Sequence, residues 1–274
     1  MSDLVSTEWL AAHLNEVRVV DANWYMPDDP RNAQADHLAG HIPGAVYFDI
    51  DRIADHSTDL PHMMPVPGEF SSSVGALGIG NGDTVVVYDH SGIFSAPRVW
   101  WMFKAMGFDA VKVLDGGLPK WKAEGRAIES GTVMPKAKTF TAALCPEIMR
   151  DFDAVMDVVK TKSAQMVDAR SAARFTGAEA EPRAGVRGGH MPGAINVPWR
   201  GVVAVDGTLK AKEELKAAFA KLDFDVPIVT TCGSGISAAI LMLALDEIGA
   251  KNVALYDGSW TEWGGRPEAL VEKP

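Results

Sequence analysis

Short apolar, β-branched runs alternate along the chain with longer segments of helical periodicity. The strand-like runs cover residues 18–22, 45–48, 84–88 and 111–114 in the first half, and 165–168, 194–197, 228–231 and 253–256 in the second. Helical patterns cover residues 7–14, 96–106, 152–160, 212–221 and 238–248. The strands are apolar throughout rather than at every second position, which suits a parallel sheet covered on both faces. Strand and helix in alternation predict the α/β class, with each half of the chain a doubly wound, mostly parallel sheet and helices on both faces. Ligands of such sheets sit beyond the carboxyl ends of the strands.

Four blocks occur twice, in the same order. Val20-Asp21-Ala22-Asn23 returns as Val167-Asp168-Ala169-Arg170, and Gly40-His41-Ile42-Pro43-Gly44-Ala45 as Gly189-His190-Met191-Pro192-Gly193-Ala194. Val87-Tyr88-Asp89-His90-Ser91-Gly92 returns as Thr230-Thr231-Cys232-Gly233-Ser234-Gly235, and Leu114-Asp115-Gly116-Gly117 as Tyr256-Asp257-Gly258-Ser259. Chance does not readily produce four ordered repeats, so the chain reads as a duplicated domain. Residues 1–132 form one copy and residues 148–274 the other, with 133–147 as a linker rich in Lys, Thr, Ala and Pro.

The chemistry concentrates where the third block differs between copies. In the second, an apolar strand stops at Cys232, Gly233 and Gly235 follow, and a long apolar helix begins. Glycines can turn backbone N–H groups inward through conformations that other residues resist. Inward amides and a helix N-terminus together make a site for negative charge, the setting in which reactive thiolates occur. In the first copy Asp89 stands where Cys232 stands in the second, and the loop gains the bulky Phe94. An aspartate in a nest of amides would fill the anion site from within. The first copy is therefore expected to be catalytically silent. Asp89-His90-Ser91 has the composition of a hydrolytic triad, but neighbours in sequence do not by that fact face one another.

Composition narrows the partners. The chain has 274 residues, 47% hydrophobic and 23% charged, with a formal charge of −10. That charge argues against nucleic acid or an anionic membrane as a general partner. Acidic groups outnumber basic ones two to one in residues 1–132 and nearly balance them afterwards, so the Cys232 half is the less acidic one. Two cysteines, Cys145 and Cys232, give no disulfide framework, and a reducing, cytoplasmic location is expected. Met1-Ser2-Asp3-Leu4 shows no basic segment leading into an apolar core, so no secretory signal is expected. The apolar run 236–245 ends at Asp246, short of the roughly 20 residues of a membrane span. No metal-binding or nucleotide-binding motif is present, and neither cofactor nor metal is expected. Trp100, Trp101, Trp121, Trp260 and Trp263 read as core, and Cys145, without a glycine cradle, as a bystander.

The tandem Gly-His-Ile/Met-Pro-Gly-Ala blocks and the Cys232-Gly233-Ser234-Gly235-Ile236-Ser237 loop resemble the rhodanese superfamily, and within it the two-domain 3-mercaptopyruvate sulfurtransferases. The resemblance covers nearly the whole chain. It departs from that group's usual loop only in Ile236 and Ser237, both conservative. It implies that Cys232 takes sulfur from 3-mercaptopyruvate as a persulfide, releases pyruvate, and passes the sulfur to a thiol such as thioredoxin or to cyanide. It also implies that Ser234 and His41 assist at the leaving group, with an acid whose place is open between Asp29 and Asp36, Asn32 lying between them. Substrate binding would fall to Arg174, Arg183, Gly233, Gly235, Ile236 and Ser237, while Arg187 is a bland neighbour. The alternative for His41 is a structural turn histidine like His190. Thiosulfate-preferring members carry Arg-Lys after the cysteine, where this chain has Gly233 and Ser234. Two further alternatives remain beside a thiosulfate sulfurtransferase. A Cys-x5-Arg phosphatase fails because Ala238 occupies the arginine position. A non-catalytic sulfur-relay or protein-binding module would not require the cysteine, glycines and arginine pair together.

Overall fold

A computed structural model describes residues 2–273, and among them the contacts divide into two compact units. Among the described residues the first unit comprises 2–56, 64–145 and 204–209, and the second 57–63, 146–203 and 210–273.

In chain order the first unit contains β1 (Leu4–Val5), α1 (Thr7–His13), β2 (Arg18–Asp21), α2 (Ala33–Ala39), β3 (Val46–Tyr47) and α3 (Pro67–Ala76). It continues with β4 (Val85–Tyr88), α4 (Ala96–Ala105), β5 (Val111–Leu114) and α5 (Gly117–Ala123). Among the described residues its sheet has five strands in the order β1-β5-β4-β2-β3, every pair parallel. The second unit repeats the plan with β6 (Met149–Arg150), α6 (Phe152–Thr161), β7 (Gln165–Asp168), α7 (Ala172–Thr176) and β8 (Ile195–Asn196). Then come α8 (Lys212–Ala218), β9 (Ile228–Thr231), α9 (Ile236–Glu247), β10 (Val253–Tyr256) and α10 (Ser259–Gly265). Its order, β6-β10-β9-β7-β8, is again all parallel. Both are α/β sheets of the expected class.

The local chemistry explains the elements. Every residue of β4 and β9 is buried, so both faces of each strand are covered, and the run of valines in β4 fits that environment. Val20 pairs with Val87 in one sheet and Val167 with Thr230 in the other, the same register in both copies. Side-chain caps start several helices: Ser6 accepts the N–H of Trp9, Asn32 that of Ala35, and Asp151 that of Ala154. Helix α9 is buried on nearly every face, which is why its sequence is apolar all round rather than striped. The five expected core tryptophans are all buried.

The segment expected as a linker behaves differently over most of its length. Residues 133–145 belong to the first unit. Lys138 N–H donates to Gly75 O at 2.9 Å, and Ala143 N–H and Cys145 N–H donate to Met106 O and Ala105 O at 3.0 and 2.7 Å. Phe140 is buried with its ring 5.4 Å from that of Phe108 and 6.0 Å from those of Phe70 and Phe103. One aromatic anchor thus turns a polar, irregular stretch into a strap on the first unit's core. Among the described residues, no helix is long and apolar enough to cross a membrane.

Candidate active site

Cys232 follows the last residue of β9 and is 2% exposed. Its loop is held from one side by the start of α10. Trp260 N–H donates to Cys232 O at 2.9 Å, and Thr261 gives Gly233 O both its N–H and its hydroxyl, at 2.8 and 2.6 Å. Ser259 Oγ accepts the Cys232 N–H at 3.2 Å and donates to Tyr256 O at 2.8 Å. With these carbonyls drawn toward α10, the amide of Gly235 faces inward and donates to Cys232 Sγ at 3.2 Å. Gly235 has φ 84°, a left-handed conformation that costs glycine little, and the first turn of α9 begins at the next residue. The sulfur thus lies beside a helix N-terminus and within reach of a backbone donor, an arrangement suited to negative charge. Ser234 and Ile236 are buried in the same loop and Ser237 is half-buried.

Arg174, on α7, reaches this loop. A Cβ built on Gly233 would lie 2.9 Å from Arg174 Nη2, so the guanidinium occupies the space a side chain at 233 would need. The Nε/Nη2 edge of its fork is engaged by Glu181, which accepts from Nε at 3.3 Å and from Nη2 at 2.5 Å. Glu181 also accepts from Arg170 Nη1 at 2.7 Å. Arg170 is buried, paired with Asp168 through Nη2 at 2.7 Å, donates to Gly189 O at 2.8 Å, and stacks 4.2 Å over the Trp260 ring. Burial works against the Arg170 charge, but Asp168 and Glu181 more than offset it and raise its pKa. The second predicted arginine, Arg183, is half-buried in the bend after Glu181. Arg187 is tied to the carbonyls of Trp263, Gly264 and Arg266, a structural role.

The first unit's equivalent loop is closed. Asp89 is fully buried, and its Oδ2 accepts the N–H groups of Phe94, Ser95 and Ala96 at 2.8, 2.9 and 2.9 Å, while Oδ1 accepts that of Ser91 at 2.8 Å. The carboxylate fills the anion site from within. A Cβ on Gly92 would lie 2.7 Å from Gly207 Cα, so backbone also packs against the outside of this loop.

The rhodanese-like domain model matches residues 6–124 and again 151–266. The chain belongs to the rhodanese family. The 3-mercaptopyruvate sulfurtransferase of Escherichia coli K12 is 42% identical over 98% of this chain and 97% of its own length. A mitochondrial thiosulfate/3-mercaptopyruvate sulfurtransferase of Arabidopsis thaliana is also 42% identical, over 98% of this chain and 78% of its own. The crystal structure of SseA, a 3-mercaptopyruvate sulfotransferase from Escherichia coli, superposes with a TM-score of 0.87 at 40% identity, covering 95% of this chain and 99% of that one.

The two rhodanese domains also share the setting of their histidines. His41 Nδ1 bonds to His37 O at 2.8 Å and its ring stacks on His37 at 4.3 Å. His190 Nδ1 bonds to Phe175 O at 3.0 Å and its ring stacks on Phe175 at 3.9 Å. Each Nε2 faces a glutamate on a bridging segment, Glu129 at 3.9 Å and Glu272 at 3.8 Å. Those same glutamates accept the N–H of Gly44 and Gly193, the second glycine of each repeated block. The two rings thus sit in matching settings, and His41 is fully buried, with its Nε2 making no hydrogen bond among the described residues. The acids weighed as its partner are engaged elsewhere: Asp29 with Arg31 at 2.7 Å and Asp36 with the Tyr25 hydroxyl at 2.7 Å, while Asn32 caps α2.

Sequence reasoning missed Arg170 and Glu181. A signal for Arg170 existed, since it replaces Asn23 in an otherwise repeated block. In the first domain the repeat partner of Asp168, Asp21, finds its donors instead in His37 Nδ1 at 2.9 Å, His90 Nε2 at 2.8 Å and the Tyr88 hydroxyl at 3.1 Å.

Proposed function

We propose that the chain is a 3-mercaptopyruvate sulfurtransferase whose second domain carries the reaction. The observation that supports this reading most is the guanidinium of Arg174 set against Gly233, one residue from Cys232, in a loop whose following residues are Gly233 and Ser234. A carboxylate-bearing donor fits a guanidinium at that place. The Escherichia coli relative bears the name of this activity.

In the proposed reaction the Cys232 thiolate attacks the thiol sulfur of 3-mercaptopyruvate. The new S–S bond forms as the sulfur–carbon bond breaks, leaving a Cys232 persulfide and the enolate of pyruvate, which takes up one proton. A second thiolate, or cyanide, then attacks the outer sulfur and returns the Cys232 thiolate. The Gly235 amide and the N-terminus of α9 stabilise charge on sulfur during both steps. Arg174 and Arg183 hold the donor carboxylate and ketone, and Ser234 supplies a hydroxyl near the leaving carbon. His41 enters this scheme as a residue that holds a turn, on the strength of its match to His190. The acceptor is a thiol, such as that of thioredoxin, or cyanide, and the reaction runs in a reducing, cytoplasm-like compartment. A chain with only two cysteines, too few for a disulfide framework, supports that placement.

Thiosulfate is the second reading for the donor, favoured by the double name of the Arabidopsis thaliana relative. Pyruvate release from 3-mercaptopyruvate, set against thiocyanate formation from thiosulfate and cyanide, decides between them. A kcat/KM higher for thiosulfate would overturn the first reading.

A further inference from the structure

Four charged side chains of the second domain lie in alternating order, Asp168, Arg170, Glu181 and Arg174, and only the last reaches the Cys232 loop. The side chains of Asp168, Arg170 and Glu181 are 1%, 0% and 4% exposed, against 19% for Arg174. A long, flexible arginine side chain has many rotamers, and a substrate must otherwise order it on binding. Here the ordering is done beforehand. Glu181 holds Nε and Nη2 of Arg174, and it is itself held by Arg170, which Asp168, Gly189 O and the Trp260 ring fix in place.

A role in the fold alone would be needed in both domains, but the first lacks the device. There Asn23 stands in place of Arg170, and Asp21 is bonded to two histidines and a tyrosine. The alternating chain accompanies the cysteine.

We propose that Glu181 is a positioning residue for sulfur-donor binding: it clamps one edge of the Arg174 guanidinium and so presents Nη1 and the outer face of Nη2 to the donor carboxylate beside Cys232. This rests on the reading of the site as one for an anionic sulfur donor. Such a donor then meets Arg174 end-on, because the side-on edge of the fork is already taken by Glu181.

A double-mutant cycle tests the clamp. Steady-state kinetics with 3-mercaptopyruvate are measured for the wild type, Glu181→Gln, Arg174→Met and the double variant, with thermal unfolding of each. If Glu181 acts through Arg174, Glu181→Gln raises KM about ten-fold and changes kcat by less than about three-fold. In the Arg174→Met background the same substitution then shifts KM by less than about two-fold. Equal effects of Glu181→Gln in both backgrounds would overturn the proposal, whatever the change in melting temperature. Should Glu181→Gln not fold, Glu181→Asp, which keeps the charge but shortens the reach, replaces it in the same cycle. A wild type that turns over only thiosulfate sinks the donor assignment, and the cycle is then read with thiosulfate. A wild type that uses neither donor overturns both.

Discussion

The backbone N–H of Gly235 points at Cys232 Sγ across 3.2 Å. In the other domain, four backbone N–H groups point at the carboxylate of Asp89. Duplication has left two copies of one anion site, of which one is open to a thiolate and the other is filled by its own side chain. Burial outweighs those four donors and raises the Asp89 pKa, so the first domain holds a buried acid at the position where the second has its cysteine.

Asp89→Asn therefore lowers stability without removing activity. A carboxamide turns an N–H donor toward amides that are themselves donors, at a cost of about 1–3 kcal/mol. Urea unfolding measures that cost, and sulfur transfer should persist in the folded fraction. Loss of transfer in a variant as stable as the wild type would mean that the first domain takes part in the chemistry.

Gly233→Ala should weaken donor binding. Its Cβ would come within 2.9 Å of Arg174 Nη2, and the guanidinium must move away from the loop. The expected result is a KM raised roughly ten-fold with kcat little changed. An unchanged KM would show that the donor does not rely on Arg174 at this position.

His41→Gln and His190→Gln should behave alike, since the two rings occupy matching settings. Each is expected to cost roughly 1–3 kcal/mol of stability, with kcat within about three-fold of wild type. A fall of about a hundred-fold in kcat for His41→Gln alone, at wild-type stability, would return that residue to the catalytic machinery.

Asp21 sets an acid limit on the first domain. Burial disfavours its charge, but hydrogen bonds from His37 and His90 prevail and hold its pKa at about 2, below the ordinary 3.8. A folded pKa below the unfolded one gives stability that is present above the unfolded value and lost as pH falls through the folded value. The contribution is on the order of 2 kcal/mol near pH 7, and about half of it remains near pH 3. The gap in unfolding free energy between wild type and Asp21→Asn should narrow accordingly, and a gap independent of pH would contradict the assignment.

The central strands were legible because a strand buried on both faces must be apolar along its length, as β4 and β9 are. The two-residue edge strands β1 and β6 carry no such run and were silent. The filled cradle of Asp89 could be read by comparing the two copies, since an acid in an anion site has one evident consequence. Phe140 alone could not announce that residues 133–145 fold back onto the first domain, because its partners Phe70, Phe103 and Phe108 come from distant segments. Glu181 was missed for a related reason. An acid in a polar loop reads as solvated, and only the fold brings Arg170 and Arg174 to either side of it.

The measurement that tests the account most directly is the intact mass of the protein after brief exposure to 3-mercaptopyruvate, for wild type and Cys232→Ser, with pyruvate assayed in parallel. A gain of one sulfur atom in the wild type with pyruvate released, and neither in the variant, is the predicted result. No gain in the wild type, or a gain that survives in Cys232→Ser, would contradict it.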